Sequence, residues 1–291
     1  MKILITGANG FIGKRLMQYF NVKNHEVSGL DIESRQNVKA CDITQDDLAA
    51  FIPADTDVVI HLAALSRDKD CSKNALQTNQ VNVYGTQKLV EAAFKKQVGQ
   101  FIFASTEWVY DSFSDSHFKT EEDSINLHNL DSEYAASKYV AESNLKQFYN
   151  YSQLPITILR FGIIYGPRKD NWSAVEALLN SVAKRDKVEV GSLNTGRCFL
   201  HVDDVISGIE ASIDSPGFEI FNLQGNDFVT LGQVLDAAQS TLDKKVEITE
   251  SNPEQASIRK VSNVKMKETL SWSPKYNILS GIEAIKSEVL S

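Results

Sequence analysis

The chain has 291 residues, 42% of them hydrophobic and 23% charged, which suits one large α/β domain or a nucleotide-binding domain with a smaller lobe. Its formal net charge is −8 with Lys and Arg scattered, so there is no electrostatic footprint for nucleic acid or an anionic membrane. Cys41, Cys71 and Cys198 stand far apart without a CxxC pairing, and the histidines show no HxxxH or HExxH spacing. That argues against a disulfide framework and a metal site and fits a reducing cytoplasm.

The sequence opens on an apolar strand, Ile3–Ile5, and no signal peptide is expected ahead of it. A helical pattern follows from Gly10 to about Phe20. His25–Leu30 reads as a second strand, Asp57–Leu62 as a third and Gln100–Ala104 as a fourth, with a long helical stretch over Asn74–Gln97. A helix is expected from Tyr134 to Tyr149, and Pro155–Phe161 reads as a fifth strand. Helical patterns at Trp172–Lys184, Val205–Ile213 and Leu231–Leu242 then alternate with strand candidates at Val188–Val190, Glu219–Leu223 and Val246–Ile248. Apolar runs such as Asp57–Leu65 are too short to span a bilayer. Solid apolar strands alternating with helices imply a Rossmann-type α/β fold, a doubly wound parallel sheet covered on both faces. The expected division is a nucleotide-binding domain over 1–168, with elements near 198–225 returning to it, and a smaller C-terminal substrate-binding lobe over 169–291. The polar stretch Asp111–Glu133 has no clear pattern, and a loop that long is more often functional than idle.

After the first strand, TGANGFIG places Gly7, Gly10 and Gly13 in a strand–turn–helix. That spacing lets backbone approach a pyrophosphate, and the helix start supplies N–H groups and a positive dipole. Asp31 ends the second strand about twenty residues on, where a carboxylate accepts from an adenosine ribose and repels a 2′-phosphate. NAD is therefore favoured over NADP, although Arg35 lies close by. Asp42 and Ile43 follow and are candidates for framing an adenine.

These residues resemble the extended short-chain dehydrogenase/reductases, the NAD-dependent epimerase/dehydratase group. The likeness rests on TGANGFIG, on HLAA at His61–Ala64, on NVYGT at Asn82–Thr86 and on STEWVY at Ser105–Tyr110. It continues through YAASK at Tyr134–Lys138, RFGIIYGP at Arg160–Pro167 and FLHVDD at Phe199–Asp204. The resemblance implies NAD as cofactor, held by Gly7, Asn9, Gly10, Phe11, Ile12, Gly13, Asp31, Ile32, Asp42 and Ile43. Further along it implies Leu62, Ala63, Ala64, Asn82, Ser105, Tyr134, Lys138, Phe161 and Ile164. It implies a cytoplasmic homodimer paired through the long helices near 84–97 and 134–149, and a sugar as substrate.

Tyr134 and Lys138 stand at i and i+4, so they share a helix face. A nearby ammonium and a nicotinamide cation lower a phenol from its ordinary value of about 10, so the tyrosine can move a hydroxyl proton while hydride passes to the cofactor. Thr106 aligns with the hydroxyl residue that bonds the reacting oxygen. Glu107 is either a substrate hydrogen-bonding group or a loop carboxylate. Trp108 stands where sugar dehydratases of this group carry a second acid or base, so dehydration is disfavoured. Ile163 occupies the place of an asparagine that touches nucleotide phosphates, leaving Arg168 and Arg197 as candidate substrate cations, Arg197 being alternatively an intralobe salt-bridge partner. The leading expectation is a nucleotide-sugar epimerase. The alternatives are a reductase or dehydrogenase of a keto sugar or other small carbonyl substrate and, in another class, a non-catalytic NAD-binding regulatory protein.

Overall fold

A computed structural model describes residues 1–113 and 117–291; residues 114–116, within the patternless stretch Asp111–Glu133, lie outside the described residues. Seven strands form the main sheet: β1 (Lys2–Thr6), β2 (Glu26–Asp31), β3 (Val38–Ala40), β4 (Val58–His61), β5 (Gln100–Thr106), β6 (Ile156–Phe161) and β7 (Phe218–Leu223). Their order is β3-β2-β1-β4-β5-β6-β7. The pairs β1–β2, β1–β4, β2–β3 and β4–β5 are parallel, with Ile3 opposite both Val27 and Val58. The chain therefore winds outward from β1 to one side and from β4 to the other. The crevice at that reversal, outside the carboxyl ends of β1 and β4, is where sheets of this kind take their ligands.

The strands pair because they are apolar on both faces: Leu4, Val59, Phe101, Phe103, Ile156 and Ile158 are buried in one cluster. Helices α1 (Phe11–Val22), α2 (Thr86–Lys95) and α3 (Glu133–Ser152) accompany them, and Leu89, Ala93, Leu145 and Phe148 of α2 and α3 complete that cluster. β3 is absent from the sequence reading because three residues with a lysine in the middle give no apolar run. The long helix expected over Asn74–Gln97 is interrupted. It comprises Ala75–Asn79, a π-helical turn at Gln80–Gly85, and then α2.

The chain divides into two compact units, one of residues 1–111, 124–160 and 209–221, the other of 112–123, 161–208 and 222–291. In the second unit, α4 (Ala174–Lys184), α5 (Leu231–Leu242) and α6 (Ile278–Leu290) pack around Val175, Leu179, Val234, Leu235, Ile282 and Ile285. Two short strands there, Lys187–Val190 and Glu247–Glu250, pair in parallel. The sequence reading places no element at α6, although Ile278, Ile282, Ile285 and Val289 recur at helical spacing after the Asn277 cap.

Gly281 shows how tightly this core closes. A methyl there would run into the hydroxyl of Tyr165, a ring with 1% exposure and no room to retreat. Alanine gains about 1 kcal/mol of helix propensity, yet overpacking costs typically about 1–3 kcal/mol. Gly281→Ala is expected to destabilise the protein by roughly 1 kcal/mol; a urea midpoint at or above that of the parent would contradict this packing.

Candidate active site

The first unit brings the glycine turn, the ends of β2, β4 and β5 and the start of α3 into one construction. Gly7 has φ +68°, and a Cβ there would lie 2.8 Å from the Ala63 nitrogen and 2.9 Å from the Leu62 carbonyl carbon. A side chain at Gly13 would strike the Gly7 carbonyl oxygen. The turn closes with Gly10 N–H donating to Gly7 O at 3.0 Å. Gly10 caps α1 with no side-chain hydrogen bond, so the first turn at Phe11, Ile12 and Gly13 carries no capping side chain over its N–H groups. Side chains at Gly7 and Gly13 would strike this backbone, so the tight turn depends on glycine at both places.

Asp31, at the end of β2, accepts from Asn9 N–H at 2.9 Å and Ile32 N–H at 2.8 Å. Asn9 also donates through its amide to Glu33 O at 2.6 Å. These bonds fix the carboxylate while leaving lone pairs for ribose hydroxyls. Arg35 lies 3.7 Å from Glu33 in an exposed ion pair. Asp42 accepts from both the backbone and the hydroxyl of Thr44, which hold it below the usual carboxylate range. Ile43 is buried against Gly85.

A directional hydrogen-bond chain fixes the loop after β4. Ala63 N–H donates to Thr6 Oγ1 at 3.3 Å, and Thr6 Oγ1 stands 2.7 Å from His61 Nδ1. His61 Nε2 stands 2.9 Å from Thr86 Oγ1, which donates to Asn82 O at 2.7 Å. Thr86 has spent its proton, so Nε2 carries the imidazole hydrogen and Nδ1 accepts from Thr6. Burial brings His61 down to about 3, and the charge of Lys138 adds to the effect. Asn82, inside the π-helical turn, pairs through its amide with both Leu65 N–H and Leu65 O at 2.9 Å and also donates to Ser137 Oγ at 2.9 Å. The loop Leu62–Leu65 is thus bound to β1, the π-helical turn and α3 at once.

The candidate reactive groups sit along a seam between β5 and α3. Ser132 caps α3, accepting from Ala135 N–H at 3.3 Å and donating to Asp68. The Thr106 side chain neighbours the Tyr134 phenol and favours its ionised form. Lys138, 2% exposed, donates to Ala104 O at 2.7 Å and lies 4.5 Å from the Phe103 ring centroid. Ser105 donates to Glu142, which is paired with Arg160. With the protein's own groups alone, burial pushes Tyr134 up to about 12, and the Thr106 side chain opposes that in part. Burial brings Lys138 down to about 7 against the carboxylate of Glu142. Among the protein's own groups, desolvation is the largest effect on both. Glu107 is fully buried, and Trp108 follows it half-buried, its N–H on Thr106 Oγ1 at 3.3 Å.

Phe161, Ile164, Arg168 and Arg197 belong to the second unit. Phe161 is buried, and Ile164 pairs with Leu200. Arg168 is held by Glu176 at 2.7 Å and donates to Ile164 O at 3.0 Å. Arg197 donates to the carbonyls of Gly196 and Ser257 and to the Ser257 hydroxyl. Ile163 packs on that unit's apolar cluster. Asp68 and Glu142 are the participants that sequence reasoning passes over, and Arg160 stands in a quoted motif without a role assigned to it. Each gains its role from a partner 18 to 64 residues away. Among the described residues, no helix is long and apolar enough to cross a membrane.

A sequence model described as the NAD dependent epimerase/dehydratase family matches residues 3–223. The UDP-glucose 4-epimerase of Thermus thermophilus, solved in complex with NAD, is similar with a TM-score of 0.86 and 25% identity, covering 99% of each chain. The UDP-glucose 4-epimerase of Thermotoga maritima, solved with UDP-glucose, shares the fold with a TM-score of 0.88 at 24% identity, over 99% of this chain and 98% of that one. The UDP-glucuronate 4-epimerase of Thermodesulfobacterium geofontis is 24% identical over 305 residues, 96% of this chain and 93% of the relative.

The His61 chain has a pH signature. Its folded value lies below the ordinary figure of about 6.5, so the fold holds the neutral ring. That contribution is complete above about pH 6.5 and is lost as pH falls toward 3. Nitrogen-15 NMR should show His61 as the Nε2–H tautomer with no titration between pH 5 and 8; a midpoint inside that window would break the assignment.

Proposed function

The chain belongs to the NAD dependent epimerase/dehydratase family, and on that premise we propose that it is an NAD-dependent nucleotide-sugar epimerase. The observation that carries this reading is the Thr106–Tyr134 hydroxyl pair beside the anchored Lys138, at the carboxyl end of β5. Gly7, Gly10 and Gly13 admit the pyrophosphate, and Asp31 takes the adenosine ribose. Bound NAD supplies the hydride acceptor and, while oxidised, a positive ring that favours phenolate. Tyr134 removes the proton from a ring hydroxyl as its carbon loses hydride, and returns it when hydride comes back to the opposite face. Thr106 holds the reacting oxygen. Lys138 bonds the nicotinamide ribose and supplies positive charge near Tyr134. Trp108 offers no proton-abstracting group, which weighs against dehydration.

A second reading, a reductase or dehydrogenase of a keto sugar or other small carbonyl compound, draws on Ile163. Its side chain packs on apolar neighbours and offers no amide to a substrate phosphate. Proton NMR of enzyme, NAD and a panel of UDP-, dTDP-, GDP- and CDP-sugars separates the two. A new anomeric signal without NADH supports the epimerase. Silence across the panel, with NAD bound, would remove the common nucleotide sugars as substrates.

The protein is further read as a homodimer of the cytoplasm. Tyr84, Phe94 and Tyr151 are exposed on and beside α2 and α3, and the three cysteines are buried free thiols suited to a reducing compartment. Light scattering at micromolar protein should return twice the chain mass; the mass of one chain would refute the dimer. Tyr134→Phe is expected to cut turnover by about 10²–10⁴-fold while NAD affinity, measured by calorimetry, changes only a few-fold. Undiminished turnover would remove Tyr134 from the chemistry.

A further inference from the structure

Resting on the reading of Tyr134 and Lys138 as the acid–base pair, we infer that the buried Glu142–Arg160 ion pair is a positioning device for it. The ion pair holds the strand end that carries Thr106, and it sets the charge balance against which Tyr134 and Lys138 exchange protons.

Positions 134, 138 and 142 recur every four residues on α3 and so lie along one stripe. Arg160 donates through Nε to Glu142 Oε1 at 3.1 Å and through Nη2 to Oε2 at 2.7 Å. Its Nη1 donates to the Tyr110 hydroxyl at 3.1 Å. Ser105 Oγ donates to Glu142 Oε1, so the residue before Thr106 is tied to the same carboxylate. Glu142, Arg160 and Tyr110 are each at most 3% exposed.

A buried ion pair is a poor device for stability alone, because well-packed apolar residues of similar volume often do as well or better. Its placement beside Lys138 gives it another use. The groups facing Lys138 are the Ala104 carbonyl and Phe103 ring of β5, Glu142 on its own helix, Cys71 from helix Asp68–Lys73, and His61 of β4. Cys71 is a buried thiol held toward its protonated form, and His61 is neutral. Glu142 is thus the standing charge in this group, with Arg160 behind it. The Glu142 charge favours the Lys138 ammonium, and Arg160 carries the opposite sign. The Tyr134–Lys138 pair is itself neutral either as phenol and amine or as phenolate and ammonium. Removing either charge would bias that exchange through a medium that screens weakly.

The test is a titration of Lys138 in the full chain carrying ε-carbon-13 lysine, without substrate, the signal being assigned by its loss in Lys138→Met. Glu142→Gln keeps the shape and an acceptor for Ser105 but leaves Arg160 uncompensated. It should lower the Lys138 midpoint by on the order of one unit. Arg160→Gln leaves the carboxylate uncompensated and should raise it by a similar amount. The double variant should return close to the parent. Shifts of opposite sign that cancel are a charge effect, which a purely structural role would not produce.

Unmoved midpoints in folded single variants, or shifts of the same sign, would overturn the inference. If one single variant fails to fold by circular dichroism, the sign of the other decides. If both fail, the double variant decides, since neither buried charge stands alone in it: a midpoint displaced by a full unit overturns the inference, and one near the parent supports it. Because the readout needs no turnover, a mistaken substrate leaves this result intact. An unmoved midpoint likewise leaves the role of Tyr134 in turnover to its own variant.

Discussion

Three consecutive residues at the end of β5 each give one polar contact to α3. Ala104 offers its carbonyl to Lys138, Ser105 its hydroxyl to Glu142, and Thr106 places its side chain beside the Tyr134 phenol. A helix that packs on a buried strand is ordinarily lined with apolar side chains, and every exception must be partnered because an unmet polar group there costs about 1–3 kcal/mol. Here the exceptions are met by one another. The position of the tyrosine over the sheet is therefore set by hydrogen bonds with definite directions as well as by the packing of Ala141, Leu145 and Phe148. The Ser132–Asp68 contact and the Asn82 amide brace the N-terminal turns of the same helix from a different side.

Much of this fold was legible because a parallel sheet writes itself as solid apolar runs, and β1, β4, β5 and β6 are runs of that kind, β2 being a weaker one. β3 was not, being three residues long. α6 was passed over although its apolar spacing is present, because it carries none of the motifs on which the resemblance rests. The glycine turn was legible for a steric reason: Gly7 must approach Ala63, and only a residue without a side chain can do so at its φ. The Tyr134–Lys138 spacing was legible because four residues make a helical neighbour. The balance between burial and charge at those two groups was not, since desolvation depends on which distant residues close over them. The pairing of Glu142 with Arg160 was hidden for the same reason, the two being 18 residues apart and joined only by the fold.

The second unit carries its candidate recognition residues in a different manner. Arg168 is steered by Glu176, a fully buried carboxylate that also accepts from Gly166 N–H and from the backbone and hydroxyl of Ser173. One side chain thus organises the loop from 166 to 173 and the start of α4. Arg197 is set against Ser257 by two hydrogen bonds and donates a third to the neighbouring Gly196 carbonyl, next to the pairing of Gly196 with Ile258. Both guanidinium groups are therefore held in place by their own surroundings. Ile163, by contrast, is committed to the apolar cluster.

The chain from Ala63 through Thr6, His61 and Thr86 to Asn82 has a property that follows from its two ends. It begins at a backbone N–H, which gives a hydrogen and cannot take one, and finishes at a backbone carbonyl, which does the reverse. Every rotor between them is held in one sense, and reversing the chain would leave both ends unmatched. A proton wire needs termini that both release and capture protons, and these do neither. The polar thread is thus an insulator: it holds the loop Leu62–Leu65 in place and passes no proton along its own length.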